Sequence, residues 1–288
     1  MLSKIIDGKK IAKNIIHNIK NKVHNIIKKG HRPPGLAVIW VGKNKSSQLY
    51  IQKKQIACNK VGYIFKTWHF QEGTDIFKII KLIKILNKDK NYDGILIQLP
   101  LPKYIEANQI IESIHPKKDV DGFHPYNIGC LVQKIPKLRP CTPKGIITLL
   151  EKYNINLKGL NTTVIGASNI VGRPMALELL LSGCTTTITH RFTKNLKEHI
   201  KKSDLIVIGI GKPNFLHQKN IKNGTIIIDV GINTLPNEKK IVGDVDFYSV
   251  YPKVSYITPV PGGVGPMTVA SLLENTLEAY EKKHQYED

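Results

Sequence analysis

Apolar residues along the 288-residue chain fall into two kinds of pattern. Short, nearly continuous β-rich runs recur at 36–41, 94–99, 162–165, 185–189, 204–208 and 225–229. Between many of them apolar positions return at helical spacing, as in 76–86, 144–152 and 175–181. A strand apolar at every position buries both faces, the condition of parallel sheets covered by helices on both sides. The pattern predicts an α/β protein. Its periodicity breaks at the proline-rich Ile135-Pro-Lys-Leu-Arg-Pro-Cys-Thr-Pro143, and a new strand–helix series follows. A boundary near residue 140 is therefore expected, with one domain over 1–140 and a second over 141–267. A last helix, 268–288, would return to pack on the first.

Composition changes this picture little. A chain that is 41% hydrophobic and 23% charged can bury a core without disulfide or metal staples. No apolar run approaches the roughly 18 residues of a membrane span, and Met1 to Gly8 hold no apolar signal core, so no membrane partner and a cytoplasmic location are expected. Cys58, Cys130, Cys141 and Cys184 are widely spaced without a Cys-x-x-Cys pair, which signals neither a disulfide framework nor a zinc site. The net charge of +21 raises the question of a nucleic-acid partner. However, 39 of the 43 basic residues are lysines strewn over every segment among many isoleucines and asparagines, as an AT-rich genome produces, and no nucleic-acid partner is expected. Against that background the four arginines, Arg32, Arg139, Arg173 and Arg191, stand out, because bidentate recognition of phosphate or carboxylate needs a guanidinium.

Several segments carry candidate chemistry. Val164-Ile-Gly166-Ala167-Ser168-Asn-Ile-Val-Gly172-Arg173-Pro-Met joins a strand to a helix, where glycines permit a tight turn and the helix N-terminus offers N–H groups to a phosphate. It departs from Gly-x-Gly-x-x-Gly, since Ser168 stands at the second glycine. About 24 residues after Gly166 the next strand ends in Thr189-His190-Arg191, with a basic residue where NAD-binding versions carry an acid; NADP is the expected cofactor. In the first half, Tyr50 and Lys54 share a helix face at i, i+4. Either the lysine tunes the phenol, or the ring stacks a planar substrate beside a proton-transferring lysine. Gln98 interrupts an apolar strand just before Leu99-Pro100-Leu-Pro102, and carboxyl ends of parallel strands are where such sheets bind ligands. In Lys118-Asp-Val-Asp121-Gly-Phe-His124-Pro, Asp121 can grip an amidine-like edge with charge-assisted bonds, whereas His124 reads as structural. Thr258-Pro-Val-Pro261-Gly262-Gly263-Val-Gly-Pro-Met-Thr268 is a rigid loop whose backbone can approach a flat ligand.

Together these segments resemble one family, the bifunctional methylenetetrahydrofolate dehydrogenase/cyclohydrolases. Tyr50-Ile-Gln-Lys-Lys54, Asp93-Gly-Ile-Leu-Ile-Gln-Leu-Pro-Leu-Pro102, Lys118-Asp-Val-Asp-Gly-Phe123, Gly166-Ala-Ser-Asn-Ile-Val-Gly-Arg-Pro174 and Pro261-Gly-Gly-Val-Gly-Pro-Met-Thr268 stand in family order across nearly the whole chain, with no departure at a motif position. The resemblance implies a catalytic N-terminal α/β domain, a Rossmann-like NADP domain, a homodimer and tetrahydrofolate derivatives as substrates, with no metal. It implies that Lys54 transfers protons, Gln98 is hydrogen-bonded to it, Tyr50 stacks on the folate and Asp121 holds the pteridine. Leu99, Pro261, Gly262, Gly263 and Thr268 would also touch substrate, and Gly166, Ala167, Ser168, Gly172, Arg173, Arg191 and Ile232 the cofactor. A short-chain dehydrogenase also uses Tyr-x-x-x-Lys, but there the nucleotide loop comes first, whereas Lys54 precedes Gly166 by 112 residues. A dehydrogenase lacking the cyclohydrolase step would share these motifs.

Overall fold

The computed structural model describes residues 5–235 and 240–284. In chain order the elements are α1 (Gly8–Lys28), β1 (Gly35–Val41), α2 (Lys45–Val61), β2 (Ile64–Phe70), α3 (Ile76–Lys88), β3 (Gly94–Ile97), α4 (Ala107–Glu112), α5 (Pro125–Val132), α6 (Cys141–Lys152), β4 (Asn161–Ile165), α7 (Gly172–Leu181), β5 (Thr185–Thr189), α8 (Leu196–Lys202), β6 (Leu205–Ile208), β7 (Ile226–Asp229), β8 (Asn233–Thr234), β9 (Ile241–Val242), α9 (Phe247–Val250), β10 (Tyr256–Ile257) and α10 (Val264–His284). They form two compact units. Of the described residues, the first holds 13–141 and 269–284, and the second holds 5–12, 142–235 and 240–268. No helix among the described residues is long and apolar enough to cross a membrane.

The first unit is built on a parallel sheet of order β2-β1-β3. Leu36 and Val38 of β1 enter a core with Ile19, Val23, Ile51, Cys58, Leu272 and Leu277. Ala37, Ile39 and Val41 enter the opposite core with Ile79, Ile83, Ile95 and Ile97. Both pleats of β1 are buried, which is why its run is apolar without alternation. Arg32 ties the starts of β1 and β3 together: its guanidinium donates to both oxygens of buried Asp93, at 2.6 and 2.7 Å, and Gly35 N donates to the same carboxylate at 2.9 Å.

The second unit has a parallel sheet of order β10-β7-β6-β4-β5 and a separate antiparallel pair, β8 and β9. Ile165, Ile206, Ile208, Ile227 and Ile257 pack one core with Ile200 and Val250.

Element boundaries differ from the sequence expectation where prolines and polar residues intervene. Strand β3 stops at Ile97 rather than at 99, although Gln98 N still donates to Ile39 O at 2.8 Å. Helices α6 and α10 begin at Cys141 and Val264, inside segments that read as connection and loop. Pro143 and Pro266 are each the third residue of their helix, where an N–H has no partner in the helix and its loss costs nothing. Helix α2 begins at Lys45 because the Asn44 side chain accepts Ser47 N at 3.1 Å, the N-cap bond that starts a helix.

Candidate active site

In the first unit, α2 and the end of β3 bring two of the sequence candidates together across 44 residues of chain: Lys54 Nζ donates to Gln98 Oε1 at 3.0 Å. Gln98 is only 7% exposed, and its Nε2 donates to Leu99 O at 2.7 Å. Both ends of the amide are thereby satisfied, which is how a polar side chain is accommodated at the end of an apolar strand. A carbonyl oxygen accepts an N–H from either protonation state of an amine, so Gln98 aims Lys54 without adding charge. Tyr50 is half-buried, and burial raises its phenol pKa. The cation over its ring is Lys53, 5.6 Å from the centroid, and the geometry couples Lys54 to the amide instead.

The two acids of Lys118-Asp119-Val120-Asp121 divide their work. Asp119 is buried and accepts from His124 N and Asn127 Nδ2, both at 2.8 Å, closing the turn. Lys118 Nζ donates to Leu86 O and Asp89 O at 2.8 and 2.7 Å, anchoring the turn on the end of α3. His124 Nδ1 accepts Tyr126 N at 3.0 Å and caps α5. Asp121 bonds to neither His124 nor Asn127; its backbone oxygen accepts Cys141 N at 3.3 Å. Desolvation pushes its carboxyl up to about 6, the charge of Asp119 adds to the rise, and the charge of Lys54 and a hydrogen bond from Cys141 oppose it. The charge of Lys54 thus acts on Asp121, while its Nζ is bonded to Gln98.

Sequence reasoning passed over the residues that hold this turn from behind. Asn275 on α10, fully buried, donates from Nδ2 to Val120 O at 2.9 Å and Arg139 O at 2.8 Å. Cys141 Sγ donates to Val120 O at 3.2 Å. Gly122 has φ +76, and a Cβ there would lie 2.5 Å from the Arg139 carbonyl carbon. Asn275 stands between Glu274 and Thr276 among Leu272, Leu273 and Leu277, so its polarity alone does not mark it out.

The second unit holds the nucleotide candidates at the carboxyl end of β4. Gly166 has φ +114, and a Cβ on it would lie 2.7 Å from Gly209 O; a Cβ on Gly172 would lie 2.0 Å from Gly166 O. Both positions need glycine. Ser168, the departure from the three-glycine pattern, accepts Val171 N at 3.2 Å and Gly172 N at 3.3 Å through Oγ, while its carbonyl accepts Arg173 N at 3.0 Å. It thus braces the loop entering α7, with Ala167 between it and Gly166. Arg191 is exposed just past β5, its guanidinium 4.6 Å from the centre of the Phe192 ring and without an acidic partner among the described residues. Arg173 is likewise exposed near the start of α7. Ile232 is 48% exposed between β7 and β8. In the 258–268 segment Gly263 N donates to Pro259 O at 2.8 Å, Gly262 O accepts Lys9 N at 2.9 Å, and Thr268 pairs its hydroxyl with Thr142 at 2.9 Å. Pro261 immediately precedes this glycine pair.

Two family models match the chain. The tetrahydrofolate dehydrogenase/cyclohydrolase catalytic domain covers residues 6–121, and the NAD(P)-binding domain of the same family covers residues 140–284. Among solved structures, a bifunctional methylenetetrahydrofolate dehydrogenase/cyclohydrolase from Campylobacter jejuni is 46% identical with a TM-score of 0.94, and the match covers 97% of this chain and 99% of that one. The dehydrogenase-cyclohydrolase of Trypanosoma brucei, solved with NADP cofactor and an inhibitor, is 32% identical with a TM-score of 0.93 over 97% of this chain and 98% of that one. A third, from Thermoplasma acidophilum, is 33% identical with a TM-score of 0.90 over 98% and 100% of the two chains.

Proposed function

The chain belongs to the tetrahydrofolate dehydrogenase/cyclohydrolase family, and from that premise we infer how its own residues serve the reaction. The enzyme oxidises 5,10-methylenetetrahydrofolate to 5,10-methenyltetrahydrofolate with NADP and then hydrolyses the product to 10-formyltetrahydrofolate. The observation that carries the assignment of roles is the hydrogen bond from Lys54 to Gln98.

The glycine cradle fits a dinucleotide: at Gly166 and Gly172 a side chain would strike backbone oxygen, so backbone alone lines the approach to the N-terminus of α7. Residues 166–168, 172 and 173 would hold the pyrophosphate side, Arg191 the ribose phosphate, and Ile232 the face of the ligand. Bound NADP supplies the hydride acceptor, which leaves positioning and proton management to the protein.

Water that adds to the methenyl carbon must lose a proton, and the nitrogen released on ring opening must gain one. Lys54, aimed by Gln98, takes the first and returns the second. Tyr50 presents its ring to the planar pterin, and Asp121 faces the donor edge of that ring system, where an ionised carboxylate accepts two N–H groups. Leu99 O is already engaged by Gln98, so residue 99 serves by shaping the wall. The cysteines are all buried thiols, which fits a reducing compartment and supports a cytoplasmic location; assembly as a homodimer follows the family pattern. Purified protein given methylenetetrahydrofolate and NADP should show methenyl absorbance rise and then decay. A rise without decay removes the hydrolase half, and no NADP reduction removes the whole reading.

A further inference from the structure

We infer that Asp244, working with Asn233, is a positioning residue that sets the dinucleotide-binding edge of the second unit. Asp244 is completely buried. Its Oδ2 accepts Ile210 N at 2.6 Å and Gly211 N at 3.0 Å, and its Oδ1 accepts Lys212 N at 2.9 Å and Asn233 Nδ2 at 2.8 Å. Three successive amides converge on one carboxylate with Gly211 at φ +67, the arrangement of an anion-holding nest. Here the anion is part of the protein, and the nest is the segment following β6.

That segment is the wall of the glycine cradle. Gly209 N donates to Ile165 O at 3.0 Å, and it is Gly209 O that a Cβ on Gly166 would strike. Fixing residues 210–212 fixes the space in front of Gly166. The same group reaches the other cofactor candidate. Ile232 lies between Asn233, bonded to Asp244, and Gly231, whose N donates to Asp229 Oδ1 at 2.9 Å. Asp229, also buried, accepts Asp244 N at 3.0 Å and Val245 N at 2.9 Å. Two carboxylates therefore suspend the loops after the adjacent strands β6 and β7, next to β4, from which the glycine loop leaves. There is no slack: a Cβ on Gly231 would lie 2.4 Å from Asp244 Cγ, and one on Gly243 would lie 1.8 Å from Asp229 Oδ2. A buried carboxylate bonded only to neutral donors is expensive, and the groups it holds are loop amides rather than core-forming strands. A neutral amide cannot replace it, because one of its two heads is a donor and would face N–H groups.

The inference rests on the reading that residues 166–172 and Ile232 hold NADP. It is tested with the whole enzyme, whose second activity supplies an internal control. In Asp244→Asn the Michaelis constant for NADP should rise at least about tenfold, as loss of hydrogen bonds to a charged group implies, while hydrolysis of methenyltetrahydrofolate without dinucleotide stays at the wild-type rate. Asn233→Ala, which removes one donor and leaves the carboxylate in its nest, should show the same split more weakly and serves if Asp244→Asn fails to fold. Equal loss of both activities in the folded variants overturns the inference, as does an unchanged Michaelis constant for NADP. Direct titration of NADP into wild-type protein separates the two readings: no binding removes the cofactor assignment, whereas binding with an unaltered Asp244→Asn removes only the positioning role.

Discussion

Replacing Asp121 with asparagine should make the protein more stable at neutral pH and the enzyme worse. Desolvation raises the Asp121 carboxyl from 3.8 to about 6, so the folded protein holds this proton more tightly than the unfolded chain does. The associated stability is fully present below about pH 4 and is lost as pH rises through about 6. At 1.36 kcal/mol per pKa unit, ionising Asp121 in place costs up to about 3 kcal/mol, an upper bound because part of the residue meets solvent. Asparagine has the shape of the protonated acid and does not titrate. Urea unfolding of both proteins at pH 4, 5, 6 and 7 should therefore give a stability difference that grows from near zero to as much as about 3 kcal/mol. Asp229, also raised to about 6 by desolvation, is present in both proteins and cancels in the difference. Folate binding should weaken by roughly 1.5–3 kcal/mol, the range for hydrogen bonds to a charged group, with NADP affinity unchanged. Stability curves that run parallel in pH refute the desolvation argument. Equal folate dissociation constants return Asp121 to its turn.

Lys54→Met should abolish methenyl hydrolysis while leaving NADP affinity near wild type, at a stability cost of no more than about 1–3 kcal/mol for the partnerless Gln98 Oε1; normal decay of methenyl absorbance in the purified variant removes its proton-transfer role. Gln98→Ala should slow hydrolysis and distort its pH–rate profile through a misaimed lysine, and a wild-type profile would uncouple the pair. Arg191→Ala should raise the Michaelis constant for NADP and leave that for NAD nearly unchanged, with the wild-type preference for NADP shrinking as salt is added; if only Arg173→Ala does this, the assignment moves to the loop. Arg32→Ala should cost roughly 1–3 kcal/mol, because it removes two charge-assisted bonds and leaves the buried carboxylate of Asp93 with Gly35 N and with Lys283 at 4.0 Å, and a loss below about 1 kcal/mol in urea unfolding would show that these two suffice to hold it.

The central strands were legible because burial on both faces leaves its mark on every residue, as in β1, whereas the edge strand β2 was missed because none of its residues is fully buried and its sequence carries no continuous apolar run. Helix starts at Cys141 and Val264 were not legible, since proline breaks a helix in its interior but is harmless in its first turn, and sequence alone does not say which turn a proline occupies. The spacing of Tyr50 and Lys54 was readable as one helix face, yet the meeting of Lys54 with Gln98 depends on how α2 lies against β3. Family resemblance supplied that pairing before the geometry did. Asn275 and Asp244 remained hidden for a further reason. Their partners are backbone amides and carbonyls of distant loops, and a backbone group has no residue type to betray it.

The division between Asp119 and Asp121 makes the length of their turn as constrained as its composition. Two positions separated by one residue give one carboxylate to His124 N and Asn127 Nδ2 and keep the other off both, under the charge of Lys54. Deleting or inserting one residue between Lys118 and Gly122 exchanges neither acid for the other; it puts Val120 or a newcomer at one of the two posts and breaks scaffold and chemistry in a single step. Point substitutions at residue 121, by contrast, leave the frame standing. Lys118, Asp119 and Gly122 are each fixed by bonds or packing, whereas a replacement at residue 121 leaves those contacts intact, so residue 121 is the position of the turn open to substitution.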